Sequence, residues 1–221
     1  MLAAARVGPN VQGMSGAARA LLYHLAVETG LRANELRSLD LGSFRLDDIQ
    51  PTLMVRAAYS KRRREDRLPL RPEMVKSLRN YLRDFEPGVP IFSMPSRESV
   101  TRMLRRDLDE ARLTWLEEAD ALEERSRRVH SSFLKYKDAE GGVADFHAFR
   151  HTFITNLVAG GVHPKVAQTL ARHGTIGLTM DKYCHVVSGA QSDALAVLPN
   201  LDSASAGPDR RHDRSGKGIA G

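Results

Sequence analysis

Apolar positions recur along the chain at two different periods, and the switches between them lay out its elements. From Ser15 onward, Leu21, Leu22, Leu25 and Ala26 fall on one helical face, which predicts a helix that stops near Gly30. A short second helix carrying Glu35 and Leu36 follows. The period then changes: residues 52–58 (TLMVRAA) and 66–70 (DRLPL) read as two short strands. Pro69 confines the second to a sheet edge or a strand end, because it has no N–H for a ladder. A charged turn, residues 60–65 (SKRRRE), separates them. Pro72 is placed to open the next helix, whose apolar stripe is Val75, Leu78, Leu82 and Phe85. Pro87, Gly88 and Pro90 break it. A long helix is expected from about Glu98 into the 120s, with Leu104, Leu108, Ala111 and Trp115 as its apolar line. Residues 123–132 (EERSRRVHSS) read as loop, and Gly141-Gly142 as a turn. Three further helices are expected: His147–Ala159, Pro164–Arg172, and one from about Leu178 that carries Tyr183. Residues 190–197 read as a last short helix. Helices dominate around one small antiparallel sheet, so the fold class is mainly α (α+β).

The two ends lack this periodicity. Residues 1–14, with Gly8, Pro9 and Gly13, read as a lead-in, and residues 202–221 as a disordered polar tail. Residues 15–201 then form one domain of a 221-residue chain, long enough to bury a core without a disulfide or metal staple. The single cysteine, Cys184, excludes an intramolecular disulfide and fits a reducing cytosol. No apolar run reaches the length of a membrane span, and the N-terminal residues are too weakly apolar for a signal peptide. Against 27 Asp+Glu stand 33 Lys+Arg, a formal net charge of +6, unevenly placed. That balance favours a polyanionic partner.

Four polar segments carry candidate chemistry, and each also has an ordinary structural explanation. Residues 61–67 (KRRREDR) form a basic turn: either a solvated hairpin tip, or a means of bringing Lys61 and the arginines Arg62, Arg63 and Arg64 to a phosphate. In residues 29–36 (TGLRANEL), Arg32 opens a helix directly after glycine and leucine, with Glu35 three residues on. That spacing suits either an orienting carboxylate or a surface ion pair of little energetic value. In residues 147–152 (HAFRHT), His147 and Arg150 share a helical side. His147 and His151 also have the i, i+4 spacing of a zinc pair. However, Ala148 stands where a metalloprotease needs glutamate, and no third ligand is near. His151 reads as a buried structural histidine. In residues 170–174 (LARHG), His173 suits a helix C-cap, and Tyr183 ten residues later suits a core position.

Together they suit phosphoryl transfer with a covalent intermediate. Two guanidinium forks match phosphate oxygens and neutralise the charge that builds at phosphorus, so no metal is required. Tyrosine is an oxygen nucleophile once deprotonated, and histidines serve as bases or hydrogen-bonding groups near neutral pH.

Four segments in this order and spacing resemble the catalytic domain of tyrosine recombinases, the phage-integrase and Xer-like site-specific recombinases. TGLRANELRSL is similar to the family's first-arginine motif. AAYSKRRREDRLPL resembles its lysine hairpin, DFHAFRHTFITNLVAGG its His-x-x-Arg box, and LARHGTIGLTMDKYCHV its His-then-Tyr box. The resemblance spans residues 29 to 186 and implies catalytic roles for Arg32, Lys61, His147, Arg150, His173 and Tyr183, with Glu35 in support. It implies that Tyr183 attacks a DNA phosphate to leave a 3′-phosphotyrosyl bond and a free 5′-hydroxyl. Arg32 and Arg150 clamp the non-bridging oxygens and His173 hydrogen-bonds one of them. His147 takes the tyrosine proton and Lys61 protonates the leaving oxygen. Double-stranded DNA is the implied partner. The protein would be a monomer when free and a homotetramer on two duplexes during recombination, in the bacterial cytosol. No cofactor, metal or membrane is implied.

Three features depart from the family pattern. About 14 residues precede the first helix, too few for the family's N-terminal core-binding domain, so weak, salt-sensitive DNA binding is expected. Residues 109–143 form a long charged segment, expected to be a solvated helix plus loop. The apolar run Ala194–Leu198 is a better candidate for docking on a neighbouring subunit than the polar tail. Two other readings stay open: a truncated, non-catalytic DNA-binding remnant, and a type IB topoisomerase-like relaxation activity.

Overall fold

The computed structural model describes residues 1–60 and 63–186, with side chains described through residue 181. Lys61, Arg62, the expected helix at 190–197, the run Ala194–Leu198 and the tail from 202 lie outside the described residues.

The helix expected from Ser15 is α2 (Gly16–Thr29). Ser15 caps it, its hydroxyl accepting from the Ala18 N–H at 3.2 Å. Gly30 ends it in the left-handed conformation at φ 61°, where a side chain is disfavoured. Leu21, Leu22, Leu25 and Ala26 are buried as the pattern predicts, but so are Arg19 and Tyr23 beside that face and Ala20 opposite it. An amphipathic stripe would bury one side only; α2 is instead surrounded. A helix within the segment read as lead-in, α1 (Leu2–Val7), packs on it with Ala5 fully buried. The two backbones approach so closely that a Cβ on Gly16 would lie 2.5 Å from the Ala5 carbonyl.

The buried polar residues of α2 hold this arrangement together. Arg19 is fully buried, and its Nε and Nη2 donate to the Asp107 carboxylate at 2.9 and 3.0 Å. Its Nη1 donates to the carbonyls of Pro9 and Met14 at 2.7 and 3.0 Å, fastening the loop after α1. Tyr23 donates to Asp107 at 2.8 Å. Burial, followed by the Asp107 charge, raises its phenol far above the ordinary range, so it remains a donor.

A short helix, α3 (Ala33–Arg37), follows, then a 3₁₀ turn at Leu41–Ser43. The sheet has three antiparallel strands among the described residues, in the order β1 (Phe44–Arg45), β2 (Thr52–Val55), β3 (Asp66–Pro69). The strand expected over 52–58 stops at Val55, opposite Asp66 in the register. The two-residue β1 is too short to leave an alternating signature. Pro69 sits on an edge strand, as its missing donor requires.

Helix α4 (Pro72–Leu82) buries Val75, Leu78 and Leu82. Helix α5 (Arg97–Glu117) buries Leu104, Leu108 and Ala111 but ends before the 120s. The segment read as loop at 123–132 is mostly a separate helix, α6 (Leu122–His130), with no buried residue. Polar and ring contacts to α5 hold it in place of apolar burial. Arg128 donates to the Trp115 carbonyl and stacks over the indole at 5.0 Å. Phe133, just beyond, meets the same ring edge-on at 4.9 Å.

Three helices complete the described chain: α7 (Ala148–Ala159), α8 (Pro164–Leu170) and α9 (Gly177–Val186). Helix α7 packs along α2, where Phe149 stacks on Tyr23 at 5.2 Å. Helix α9 packs on α7 and α8. No helix among the described residues is long and apolar enough to cross a membrane.

Candidate active site

The site forms where the start of α3, the start of α7 and the loop after α8 meet. Three segments far apart in sequence are stitched together there by two buried arginines.

Arg32 is the N-cap of α3. Its backbone N–H donates to Glu35 Oε2 at 2.8 Å and its Nη1 to Glu35 Oε1 at 3.2 Å. The alternative of a surface ion pair does not hold, because Glu35 is 1 % exposed. The Arg32 side chain itself remains 30 % exposed, available to an anion from outside. Burial alone would raise the Glu35 carboxyl. Hydrogen bonds and charge from Arg172 and Arg32 outweigh that and hold it below the usual carboxylate range.

Arg150, at the third position of α7, is 2 % exposed. Its Nη1 donates to the Gly30 carbonyl at 2.6 Å and its Nη2 to the Ala171 carbonyl. One guanidinium thus joins the residue two before Arg32 to the residue two before His173. Burial lowers its pKa to about 10, and the charges of Arg32 and Arg172 add to that effect against the pull of Glu35.

Two histidines border this cluster. His147 caps α7 and lines an open cleft of ≈ 650 Å³ together with Arg32, Arg37, Arg97 and Ser60. Its pKa is lowered by burial, then by His151, Arg150 and Arg32, against Asp145. The Nδ1 of His173 lies 2.9 Å from the hydroxyl of Thr179, a fully buried residue in the first turn of α9. Burial first, then Arg150 and Arg32, push its pKa down to about 4. Both rings are therefore neutral at pH 7, each with one nitrogen able to accept a proton. Tyr183 lies on α9, one turn beyond Thr179.

His151 is a correction: it is exposed, not buried, and its ring meets that of His147 edge-on at 5.0 Å. Position 151 faces outward because Phe153 and Ile154 take the inward face of α7.

At the root of the basic turn, Asp66 is buried and accepts from Ser60 at 3.2 Å and from Arg64 Nε at 3.0 Å. Arg64 is thereby folded back onto the hairpin, while Arg63 is exposed with φ 50°.

Arg172, Thr179 and Asp66 were not singled out from the sequence. Arg172 leaves a signal in the sequence, an arginine that directly follows the apolar pair Leu170-Ala171 and directly precedes His173. Among the described residues, no three His, Cys, Asp or Glu side chains group as metal ligands.

This arrangement presents several cations around one buried carboxylate, open on one side to a cleft. Three comparisons agree on what it resembles. Residues 9–189 match the model of the phage integrase family. Over 56 residues, 25 % of this chain and 14 % of the relative, the sequence is 38 % identical to a tyrosine recombinase XerC-like protein of Caldanaerobacter subterraneus subsp. tengcongensis. The fold is similar to that of the XerH site-specific recombinase in a post-cleavage complex with its palindromic difH substrate. There the TM-score is 0.59 at 16 % identity, covering 89 % of this chain and 50 % of that one. It is also similar to the Tn1549 transposon integrase bound to circular-intermediate DNA, with TM-score 0.54 at 16 % identity, covering 81 % and 60 %. The chain spans about half the length of the XerH recombinase it matches and a smaller part of the curated relative. With the family model covering most of the chain and the fold that of tyrosine recombinase catalytic domains, this protein belongs to the phage integrase family.

Proposed function

We propose that this chain is a site-specific recombinase that cleaves and rejoins DNA through a 3′-phosphotyrosyl intermediate, with Tyr183 as the nucleophile. The observation that carries the proposal is Arg150. Its buried guanidinium is tied to backbone on both sides, at Gly30 and Ala171, and so draws the segments carrying Arg32 and His173 into one cluster.

In the first step the Tyr183 oxygen attacks the scissile phosphorus, and the bond to the 5′ oxygen of the next nucleotide breaks. His147, neutral near pH 7, accepts the phenol proton. Lys61 supplies a proton to the leaving oxygen. Arg32 and Arg150 neutralise charge on the non-bridging oxygens, and His173, held by Thr179, donates to one of them. Arg62, Arg63 and Arg64 contribute phosphate contacts on the hairpin. In the second step a 5′-hydroxyl attacks the phosphotyrosine, restoring a phosphodiester and the phenol. The link conserves the bond, so neither step consumes a nucleotide. Residues 15–201 are the catalytic unit. Exchange between two duplexes requires four copies, each supplying one tyrosine. On this reading the protein works in the bacterial cytosol, where its DNA would lie.

The test uses a pool of nicked suicide duplexes with randomised core sequence, from which the cleaved fragment escapes. The full chain should form an SDS-stable protein–DNA adduct, and Tyr183→Phe should bind the pool but form none. An adduct that survives the substitution moves the nucleophile elsewhere. Binding without any adduct by the unaltered chain means a DNA-binding protein without cleavage activity. Relaxation of supercoils by a monomer means topoisomerase-like chemistry.

A further inference from the structure

Arg172 has no role in the chemistry above, yet it is among the most buried charges in the protein, at 5 % exposure. Its Nη2 donates to Glu35 Oε2 at 2.8 Å. The side chains of that pair are 4 % and 1 % exposed, so it is a fully desolvated ion pair rather than a surface one. Its Nη1 lies 3.9 Å from Asp66 Oδ2, at the root of the basic hairpin. Among the described residues, neither Nη1 nor Nε has a hydrogen-bond partner. Its backbone is in the left-handed region at φ 53°, disfavoured for a residue with a side chain. A buried cation with two donors unpaired among the described residues and a strained backbone is costly to keep. A fold that needed only apolar filling here would accommodate an aliphatic residue better. Its neighbours give the reason for the cost: Glu35 orients Arg32, Asp66 anchors the hairpin that contains Lys61, and His173 is the next residue.

We propose that Arg172 is a positioning residue: it holds the Glu35 carboxylate aimed at Arg32, and links the hairpin root at Asp66 to the loop carrying His173. The first-arginine helix, the hairpin and the His173 loop are then fixed relative to one another by one side chain. This rests on the recombinase reading for its catalytic consequence, but not for the coupling itself.

Removing the guanidinium leaves Glu35 buried, facing Arg32 on its own helix and Arg150 on α7. The hydrogen bond and the charge from Arg172 are the largest effects that lower its pKa. Without them burial is opposed by the hydrogen bond and charge of Arg32, and Glu35 takes up a proton at higher pH than in the unaltered chain. Protonated Glu35 no longer holds Arg32 by charge. The defect in an Arg172→Met variant should therefore ease as pH rises, with a titration that the unaltered chain lacks.

The experiment compares the full chain with Arg172→Met, Arg172→Lys and Arg172→Met/Glu35→Gln. Single-turnover adduct formation is measured at saturating DNA from the suicide pool, and melting temperature between about pH 5 and pH 8. Arg172→Met should slow the adduct step on the order of 100-fold without changing the DNA concentration for half-saturation. Its rate should rise with pH, Arg172→Lys should recover part of it, and Glu35→Gln should abolish the rise. Its melting temperature relative to the unaltered chain should fall as pH rises, since a buried carboxyl with a raised pKa stabilises the fold only while protonated. Glu35→Gln should remove that slope. Cleavage by Arg172→Met at the full rate with an unaltered pH profile overturns the proposal. So does a pH-independent loss shared equally by binding, rate and melting temperature. If the unaltered chain forms no adduct while the melting slope and its loss in the double variant are seen, the recombinase reading fails and the Glu35 coupling stands.

Discussion

Substituting Gly30 by alanine tests whether the arginine cluster depends on one close contact between α2 and α7. Gly30 is left-handed at φ 61°, and an added Cβ would lie 2.5 Å from Phe153 Cδ1 and 3.1 Å from Cε1. Two costs follow. A residue with a Cβ in the left-handed conformation loses about 1 kcal/mol relative to glycine. Forcing an extra carbon against a buried ring costs about 1–3 kcal/mol more. Together these are about 2–4 kcal/mol, a large share of the stability of a small domain. Phe153 is 8 % exposed and packs with Ile154, Val158 and Ala171, so the ring cannot swing into solvent without opening that cluster. On the proposed mechanism the contact also bears on function, because the Gly30 carbonyl accepts from Arg150 Nη1 at 2.6 Å. Displacing it moves the guanidinium, and a shift of about 1 Å at a positioned group is enough for on the order of a 100-fold loss of rate. The assay is a double-mutant cycle by urea denaturation with Gly30→Ala, Phe153→Leu and the pair. Leucine lacks the ring's Cε1 and can turn its Cδ1 away about a tetrahedral Cγ, so the pair should be less destabilised than the two single losses imply, by about 1 kcal/mol or more. Gly30→Ala without effect on stability, or strict additivity with Phe153→Leu, would refute the reasoning.

Two further expectations concern stability. Asp107→Ala leaves Arg19 charged and fully buried and takes the acceptor from Tyr23. It should cost about 3–5 kcal/mol in chemical denaturation, and replacing both partners by Arg19→Met/Asp107→Leu should cost less; an Asp107→Ala protein as stable as the original would show that Arg19 is not left uncompensated. His173 has its pKa lowered from 6.5 to about 4. The unfolded chain therefore takes up its proton first, and melting temperature should fall as pH drops from 6.5 toward 4. His173→Asn should lessen that slope, and an unchanged slope would mean that the ring is not shielded as described.

The sequence made some parts of this protein legible because their causes are local. Ser15 and Gly30 bound α2 by capping chemistry, and Pro69 marks an edge strand by its missing donor. The Arg32–Glu35 spacing and the His-x-x-Arg box lie within single helical turns. Helix α6 escaped because it buries nothing, so no apolar period announces it; its anchors are Arg128 on Trp115 and on that residue's carbonyl. The face that His151 takes is not legible in the sequence, because a polar residue beside apolar neighbours is compatible with either face, and only the packing of Phe153 and Ile154 decides. Helix α1 escaped because six residues with one buried alanine carry too little pattern.

By itself the sequence determined which residue types suited to phosphate chemistry were present, and in what order, because motifs are one-dimensional. Only the tertiary structure decided that Glu35 is buried between two arginines, that Arg150 binds the Gly30 and Ala171 carbonyls, and that Arg172 approaches Asp66. Those contacts join positions separated by as many as 137 residues. Their strength comes from exclusion of water, which belongs to the packed molecule and not to any segment of the chain.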